Sequence, residues 1–324
     1  MKPFESFLAP QLNDYIAHRQ SQGYVIRAFR GHLQCFDRYM RDKGADWNAL
    51  QPSFFLDMRA NLDMEGSSVN KVLSGARLFF DFLVRRGDVE DNPLRDIPFL
   101  KEDIVVPFIF SPQQTDQLLQ AVCKAIRREE RLFLTDLARY LAVLLLARCG
   151  LRISEPLGIM RQHYRRDDAT LYIEKTKFRK DRLIPAPGAV VTEVDNYLSL
   201  RERFRENDEN PYLLAGKGQK PLSEYDVRFF FRRAVKDIGL EHKRKLAGNL
   251  IFNPPTPHSL RHSFAINTLI KIKERGGSLR HALPILATYL GHSEYKHTAI
   301  YLRVADALSR KRLMDFSLWK RRKK

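Results

Sequence analysis

The chain has 324 residues, enough for about two domains with a core each, and its 44% hydrophobic and 29% charged content excludes a disordered, collagen-like or membrane-embedded protein. Fifty-six Lys and Arg face 38 Asp and Glu, a net charge of +18 that favours a polyanionic partner, nucleic acid first. Three cysteines, Cys35, Cys123 and Cys149, have neither the number nor the spacing of a disulfide framework or a zinc module, which fits a reducing cytoplasm. The longest apolar run, Tyr140 to Ala147, falls short of the roughly 20 residues of a bilayer span, and the N-terminus lacks the pattern of a signal peptide.

The first hundred residues hold 13 basic and 13 acidic side chains, so the whole positive excess lies beyond them. Residues 1–97 read as a bundle of four or five short helices. Ile26, Phe29, Leu33, Phe36 and Met40 recur at spacings of three and four and form one apolar stripe. Beside it run Arg27, Arg30, Gln34, Arg38 and Arg41, either a basic ridge for phosphate or an ordinary solvated face. A second helix begins near Ser67 or Ser68 and buries Val69, Val72, Leu73, Ala76, Phe79, Phe80 and Leu83.

Pro98, Glu102-Asp103 and Pro107 mark an extended linker over 98–110, and Ser111-Pro112 starts a helix with Ser as N-cap. The second domain, 111–324, is predicted helical at 112–128, 133–148, 189–205, 223–238, 259–273, 281–290 and 294–316. Leu171 to Glu174 and Arg182 to Pro185 look like two strands joined by the basic turn Lys175 to Asp181. The fold class is therefore mainly α: an N-terminal helical bundle and a C-terminal mixed α/β domain with a small antiparallel sheet. The end, Lys320 to Lys324, is a basic tail.

Three segments carry residue types suited to phosphate chemistry. In Gly150-Leu151-Arg152-Ile153-Ser154-Glu155 the glycine ends an apolar helix, Ser154 is placed to cap the next, and Arg152 sits at the joint, where a guanidinium can fork onto two phosphate oxygens. In His258-Ser259-Leu260-Arg261-His262 the imidazole of 258 and the guanidinium of 261 share a helix face. His262, turned away by about 100°, reads as structural. Third, Leu290-Gly291-His292 is followed nine residues later by Tyr301, with Tyr289 and Tyr295 as competing tyrosines.

Together these segments resemble the tyrosine recombinase (phage integrase) family, of the Xer-like two-domain type without an arm-binding domain. Its pattern is Gly-Leu-Arg-x-Ser-Glu, a lysine in a β-turn, His-x-Leu-Arg-His, then Leu-Gly-His and a tyrosine nine residues on. Pro156 departs from the pattern, as does the long basic segment Lys271 to Ser278. The resemblance implies Arg152, His258, Arg261 and His292 as catalytic residues, Tyr301 as nucleophile and Glu155 as a structural companion. Counting back five from Arg182 makes Lys177 the catalytic lysine, with Lys175 and Lys180 as alternates. It implies residues 1–97 as a core-binding domain of SAM-like type. Arg27, Arg30, Arg38, Arg41, Lys175, Arg179 and Lys180 are candidate DNA contacts.

The implied reaction is site-specific recombination through a 3′-phosphotyrosine, with no metal, nucleotide or other cofactor, and no Gly-rich Walker loop is present. Its partners are duplex DNA carrying recombination sites and three further subunits, in a homotetramer or a heterotetramer with a related recombinase. Leu308, Leu313, Met314, Phe316, Leu318 and Trp319 are expected to pack on a neighbouring subunit or on their own domain. A topoisomerase of type IB and a non-catalytic DNA-binding relative are the alternatives. A metal-dependent nuclease lacks a carboxylate cluster, since Asp167-Asp168 stands alone.

Overall fold

A computed structural model describes residues 2–174, 181–205, 208–292 and 301. The chain divides into two compact units, Met1–Ile104 with Gly248–Leu250, and Val105–Ala247 with Ile251–Lys324.

The first unit holds α1 (Ala9–Ser21), α2 (Arg27–Asp42), α3 (Pro52–Asn61) and α4 (Gly66–Arg86). Helix α2 packs on α4, burying Leu33, Phe36 and Met40 against Val72, Leu73, Ala76, Phe79 and Phe80. The apolar stripe read from the sequence is this interface. The arginine stripe beside it divides: Arg27 and Arg38 are exposed, whereas Arg30 donates to the Lys2 carbonyl and lies over the Phe4 ring. Arg41 pairs with Glu5 and Asp42. Part of the stripe thus fastens the N-terminal segment, which buried Asp37 also ties by accepting the Glu5 and Ser6 amides at 2.9 and 3.0 Å.

Next come β1 (Ile104–Val106), α5 (Pro112–Lys124), α6 (Glu130–Cys149), α7 (Ser154–Gly158), β2 (Tyr164–Arg165), β3 (Thr170–Ile173) and β4 (Arg182–Pro185). They are followed by α8 (Gly188–Phe204), α9 (Glu224–Asp237), β5 (Lys245–Ala247), β6 (Leu250–Phe252), α10 (Pro257–Glu274) and α11 (Leu279–Leu290). The fold is mainly helical, with a helical N-terminal part and an α/β C-terminal part. Helix α6 is apolar around most of its girth because it is surrounded, with α5, α8, α9 and α10 packed on it. Helix α5 starts on a capping box, Ser111 Oγ accepting the Gln114 amide and Gln114 Oε1 the Ser111 amide.

Strands β2, β3 and β4 form an antiparallel sheet in that order, with Ile173 opposite Arg182 and Leu171 opposite Ile184. A second sheet, in the order β1-β6-β5, has no counterpart in the reading of the sequence. Its strands have three residues each, too few for periodicity to register, and β1 falls within 98–110, the segment expected as linker. The Gly248-Asn249 pair between β5 and β6, with Gly248 at φ +60°, was the available hairpin signal.

Candidate active site

The site is built where two helices end. Helix α6 stops at Gly150, in the left-handed region at φ +59°, and α11 stops at Gly291, at φ +65°. A helix C-terminus exposes carbonyls without intrahelical partners and carries partial negative charge, so cations are favoured there. Arginines occupy both ends. Arg261, on the first turns of α10 and 1% exposed, donates from Nη1 to the Gly150 carbonyl at 2.9 Å and from Nη2 to the Leu290 carbonyl. Arg152 donates from Nη2 to the Gly291 carbonyl at 2.9 Å, and Arg182 from Nε to the Tyr289 carbonyl at 2.8 Å.

Gly150 has a second reason to lack a side chain. A Cβ there would lie 2.4 Å from Cδ1 of Phe264. At Gly291 it would come within 3.1 Å of Arg182 Nη1.

Glu155 binds the arginines together. Its carboxylate accepts the Arg152 amide and Nη1, both at 2.8 Å, and Arg182 through Nη1 and Nη2 at 3.1 and 2.9 Å. Arg261 Nη1 lies 3.9 Å away. Burial alone would raise this carboxyl; the Arg182 hydrogen bonds and charge, the Arg152 amide and the Arg261 charge outweigh it and hold the group below the usual carboxylate range.

The structure corrects the expected cap. Ser154 is the first residue of α7, no side chain caps that helix from its N-cap position, and α7 is only five residues long. The Glu155 carboxylate bonds the Arg152 amide instead. Pro156 falls in the first turn of α7, where a backbone N–H has no intrahelical partner, so the departure from the family pattern leaves the helix intact.

Burial, and then the neighbouring Arg152 charge, pull Arg261 down to about 10, still fully cationic near neutrality. Tyr301 is 4% exposed. Burial raises its hydroxyl above the ordinary phenol, opposed by the charges of Arg261 and then Arg152. The His292 and Tyr301 rings lie 6.1 Å apart, and His258 stands at the start of α10. Arg152, Glu155, His258, Arg261, His292 and Tyr301 are thus gathered around one place. Lys175, Lys177, Arg179 and Lys180 lie outside the described residues, as do Tyr295, the helix expected at 294–316 and the C-terminal apolar positions and tail.

Two residues of the site were undervalued in the sequence. Arg182 served only as a landmark for counting, yet it is the bidentate partner of Glu155. His262, read as structural, contacts the tyrosine: its Nδ1 lies 2.9 Å from Tyr301 Oη. The signal was present, because 262 is four residues from His258 and shares its face, and the two rings meet edge-on at 4.5 Å. Measuring its angle from Arg261 concealed this.

Among the described residues no group of three or more His, Cys, Asp or Glu side chains is placed to hold a metal, and no helix is long and apolar enough to cross a membrane.

Residues 109–307 match the phage integrase family, and residues 11–87 match that family's N-terminal SAM-like domain. The chain belongs to the phage integrase family and is a tyrosine-type site-specific recombinase acting on DNA. It is similar to the integrase/recombinase-type protein y4rE of Sinorhizobium fredii, with 29% identity over 304 residues and 93% of each chain covered. It is also similar to the tyrosine recombinase XerD of Bradyrhizobium diazoefficiens, with 27% identity and 94% of each chain covered. In fold it is similar to lambda integrase, solved as a tetramer bound to a Holliday junction, with a TM-score of 0.63, 18% identity, and 89% of this chain and 77% of that chain covered.

Proposed function

We propose that this chain breaks and rejoins DNA strands by transesterification at Tyr301. The phenolic oxygen attacks the scissile phosphorus, the bond to the 5′ oxygen breaks, and a 3′-phosphotyrosine remains with a free 5′-hydroxyl. Arg152 and Arg261 hold the non-bridging oxygens, each having committed two N–H groups to the helix ends and Glu155 while keeping others for the ester. Their permanent charge neutralises the pentavalent intermediate's oxygens, the service a divalent cation performs in many nucleases. His258 and His292 stand at the phosphate as groups able to accept or donate protons, and Lys177, which lies in the sequence between β3 and β4, protonates the departing oxygen as general acid. Attack by the 5′-hydroxyl of another strand reverses the step, and the ester bond conserved in the intermediate makes ATP unnecessary.

The basic excess beyond residue 100 then serves duplex phosphates, with Arg27 and Arg38 as exposed candidates in the first unit. Exchange between two sites needs four active sites. A tetramer on paired duplexes follows, homomeric or mixed with a related recombinase, and the lambda integrase tetramer supports that reading. The chemistry belongs with the chromosome or a mobile element, hence in the cytoplasm.

The observation that carries the proposal is the buried Tyr301, its hydroxyl 2.9 Å from His262 and its ring 6.1 Å from that of His292, with Arg152 and Arg261 bonded to the Gly291 and Leu290 carbonyls just ahead of His292 in the chain. It is tested with a nicked duplex from which the cleaved fragment diffuses away. The wild type is expected to accumulate a covalent adduct and Tyr301→Phe none, with DNA affinity retained; an adduct in the phenylalanine variant would show that the nucleophile is elsewhere.

A further inference from the structure

The pair of strands β3 and β4 turns one face to the core. Leu171, Ile173 and Ile184 lie buried on that face, and Arg182, opposite Ile173 and two residues before Ile184, shares it. The pattern asks for another apolar residue there, but the position holds a guanidinium whose side chain is 8% exposed. Desolvating a cation is costly, and apolar residues of similar volume in place of a buried ion pair are often as stable or more so. Stability alone therefore does not account for an arginine at 182. Fixing the register between elements is something that a directional ion pair does and an apolar side chain does not.

Three elements meet on this one planar group. Nη1 and Nη2 donate to the two carboxylate oxygens of Glu155, in α7, at 3.1 and 2.9 Å. Nε donates to the Tyr289 carbonyl, in the last turn of α11, at 2.8 Å. These are the places that also hold the phosphate-binding arginines: Arg152 bonds Glu155 and the Gly291 carbonyl, and Arg261 bonds the Leu290 carbonyl. A fork of this kind fixes direction as well as distance. Arg182 also forms, with Ile173, the last opposed pair of β3 and β4. Lys177 lies between the two in the chain, four residues after Ile173 and five before Arg182.

We propose that Arg182 is a positioning residue for the general acid, fixing the end of the β3–β4 pair, from which the chain runs to Lys177, against the arginines that hold the scissile phosphate. The inference rests on Lys177 being the acid of the proposed reaction. Arg182 itself touches no reacting atom. When it is replaced, Arg152 keeps its own bonds to Glu155 and to the Gly291 carbonyl, so the phosphate clamp retains its anchors. The strand end, in contrast, loses its bonds to α7 and α11. The step that suffers is the one in which the bond from phosphorus to the 5′ oxygen breaks while an ammonium N–H proton passes to that oxygen. A donor displaced by about 1 Å delivers the proton poorly and slows the step by about 10²-fold.

The test is single-turnover cleavage of the nicked duplex by the full chain at saturating enzyme, with oxygen or sulfur as the 5′-bridging atom. Arg182→Met suits the apolar face, and Arg182→Lys keeps the charge but cannot fork. Both are expected to bind DNA as the wild type does and to cleave the oxygen ester more slowly, the methionine variant by about 10²-fold. On the sulfur ester, whose leaving thiolate needs no proton, the deficit of both should all but vanish, as should that of Lys177→Ala. Added to Lys177→Ala, Arg182→Met should slow the oxygen ester little further, because the group it positions is gone. A deficit equally large on both esters overturns the proposal. So does a double variant slowed by the product of the two single effects, or an Arg182→Met enzyme as fast as wild type on oxygen. If sulfur fails to rescue Lys177→Ala, the assignment of the acid falls and takes the positioning role with it, whereas rescue of the lysine variant alone refutes only the part given to Arg182.

Discussion

Replacing Glu155 by glutamine tests how the arginine cluster is held. The carboxylate accepts four N–H bonds, two from Arg152 and two from Arg182, with Arg261 3.9 Å away. A glutamine keeps one accepting oxygen and turns an NH₂ toward guanidinium donors, so about half the bonds are lost and three cations remain around a neutral group. Removing one partner of a buried ion pair costs about 3–5 kcal/mol, because the charges left behind stay desolvated. For a unit of this size that corresponds to a fall in Tm of roughly 6–20 °C. The pH dependence gives an independent reading. The Glu155 carboxyl is held below its ordinary value of 4.5 in the fold and regains it on unfolding, so the unfolded chain binds more protons in that window. The stability it contributes is complete above 4.5 and is lost as the pH falls through the lowered native value. Urea denaturation of both proteins from pH 7 to pH 3 is the assay. The gap between them should be full at pH 7 and narrow below 4.5. A gap under about 1 kcal/mol at pH 7, or one that stays constant into acid, would refute the reasoning.

Two further substitutions probe other parts of the site. Lys177→Ala should bind DNA normally but cleave slowly, and a 5′-bridging phosphorothioate, whose leaving group needs no acid, should restore the rate; rescue of Lys175→Ala instead moves the assignment by two residues. Gly150→Ala places a methyl group 2.4 Å from the Phe264 ring at φ +59°, and is expected to cost about 2–5 kcal/mol in denaturation experiments and to slow cleavage by shifting the Arg261 acceptor; a variant with the wild-type midpoint would contradict this.

Much of the architecture was legible because periodicity and caps act locally. The stripe from Leu33 to Met40 became the face of α2, and Ile173 and Arg182 became opposed residues of one strand pair. The arginine and histidine positions were legible through motif resemblance rather than through any local rule. What escaped depends on partners distant in the chain. Nothing near Arg182 announces that its fork closes on Glu155, 27 residues earlier, while its Nε serves a carbonyl 107 residues later. His262 was assigned by its angle to a neighbour on its own helix, but its role is set by a tyrosine 39 residues away. The β1-β6-β5 sheet escaped because three-residue strands joined across more than a hundred residues leave no pattern. Arg30 and Arg41 show the converse limit: a basic stripe is visible in sequence, but the N-terminal segment that bonds part of it is not.

The central claim is that the bond to DNA forms at residue 301. Trapping the protein on a nicked duplex, digesting both components and locating the nucleotide-bearing peptide by mass tests it most directly. The account predicts the phosphonucleotide on the Tyr301 peptide alone; its appearance on Tyr289, Tyr295 or any other residue would contradict it.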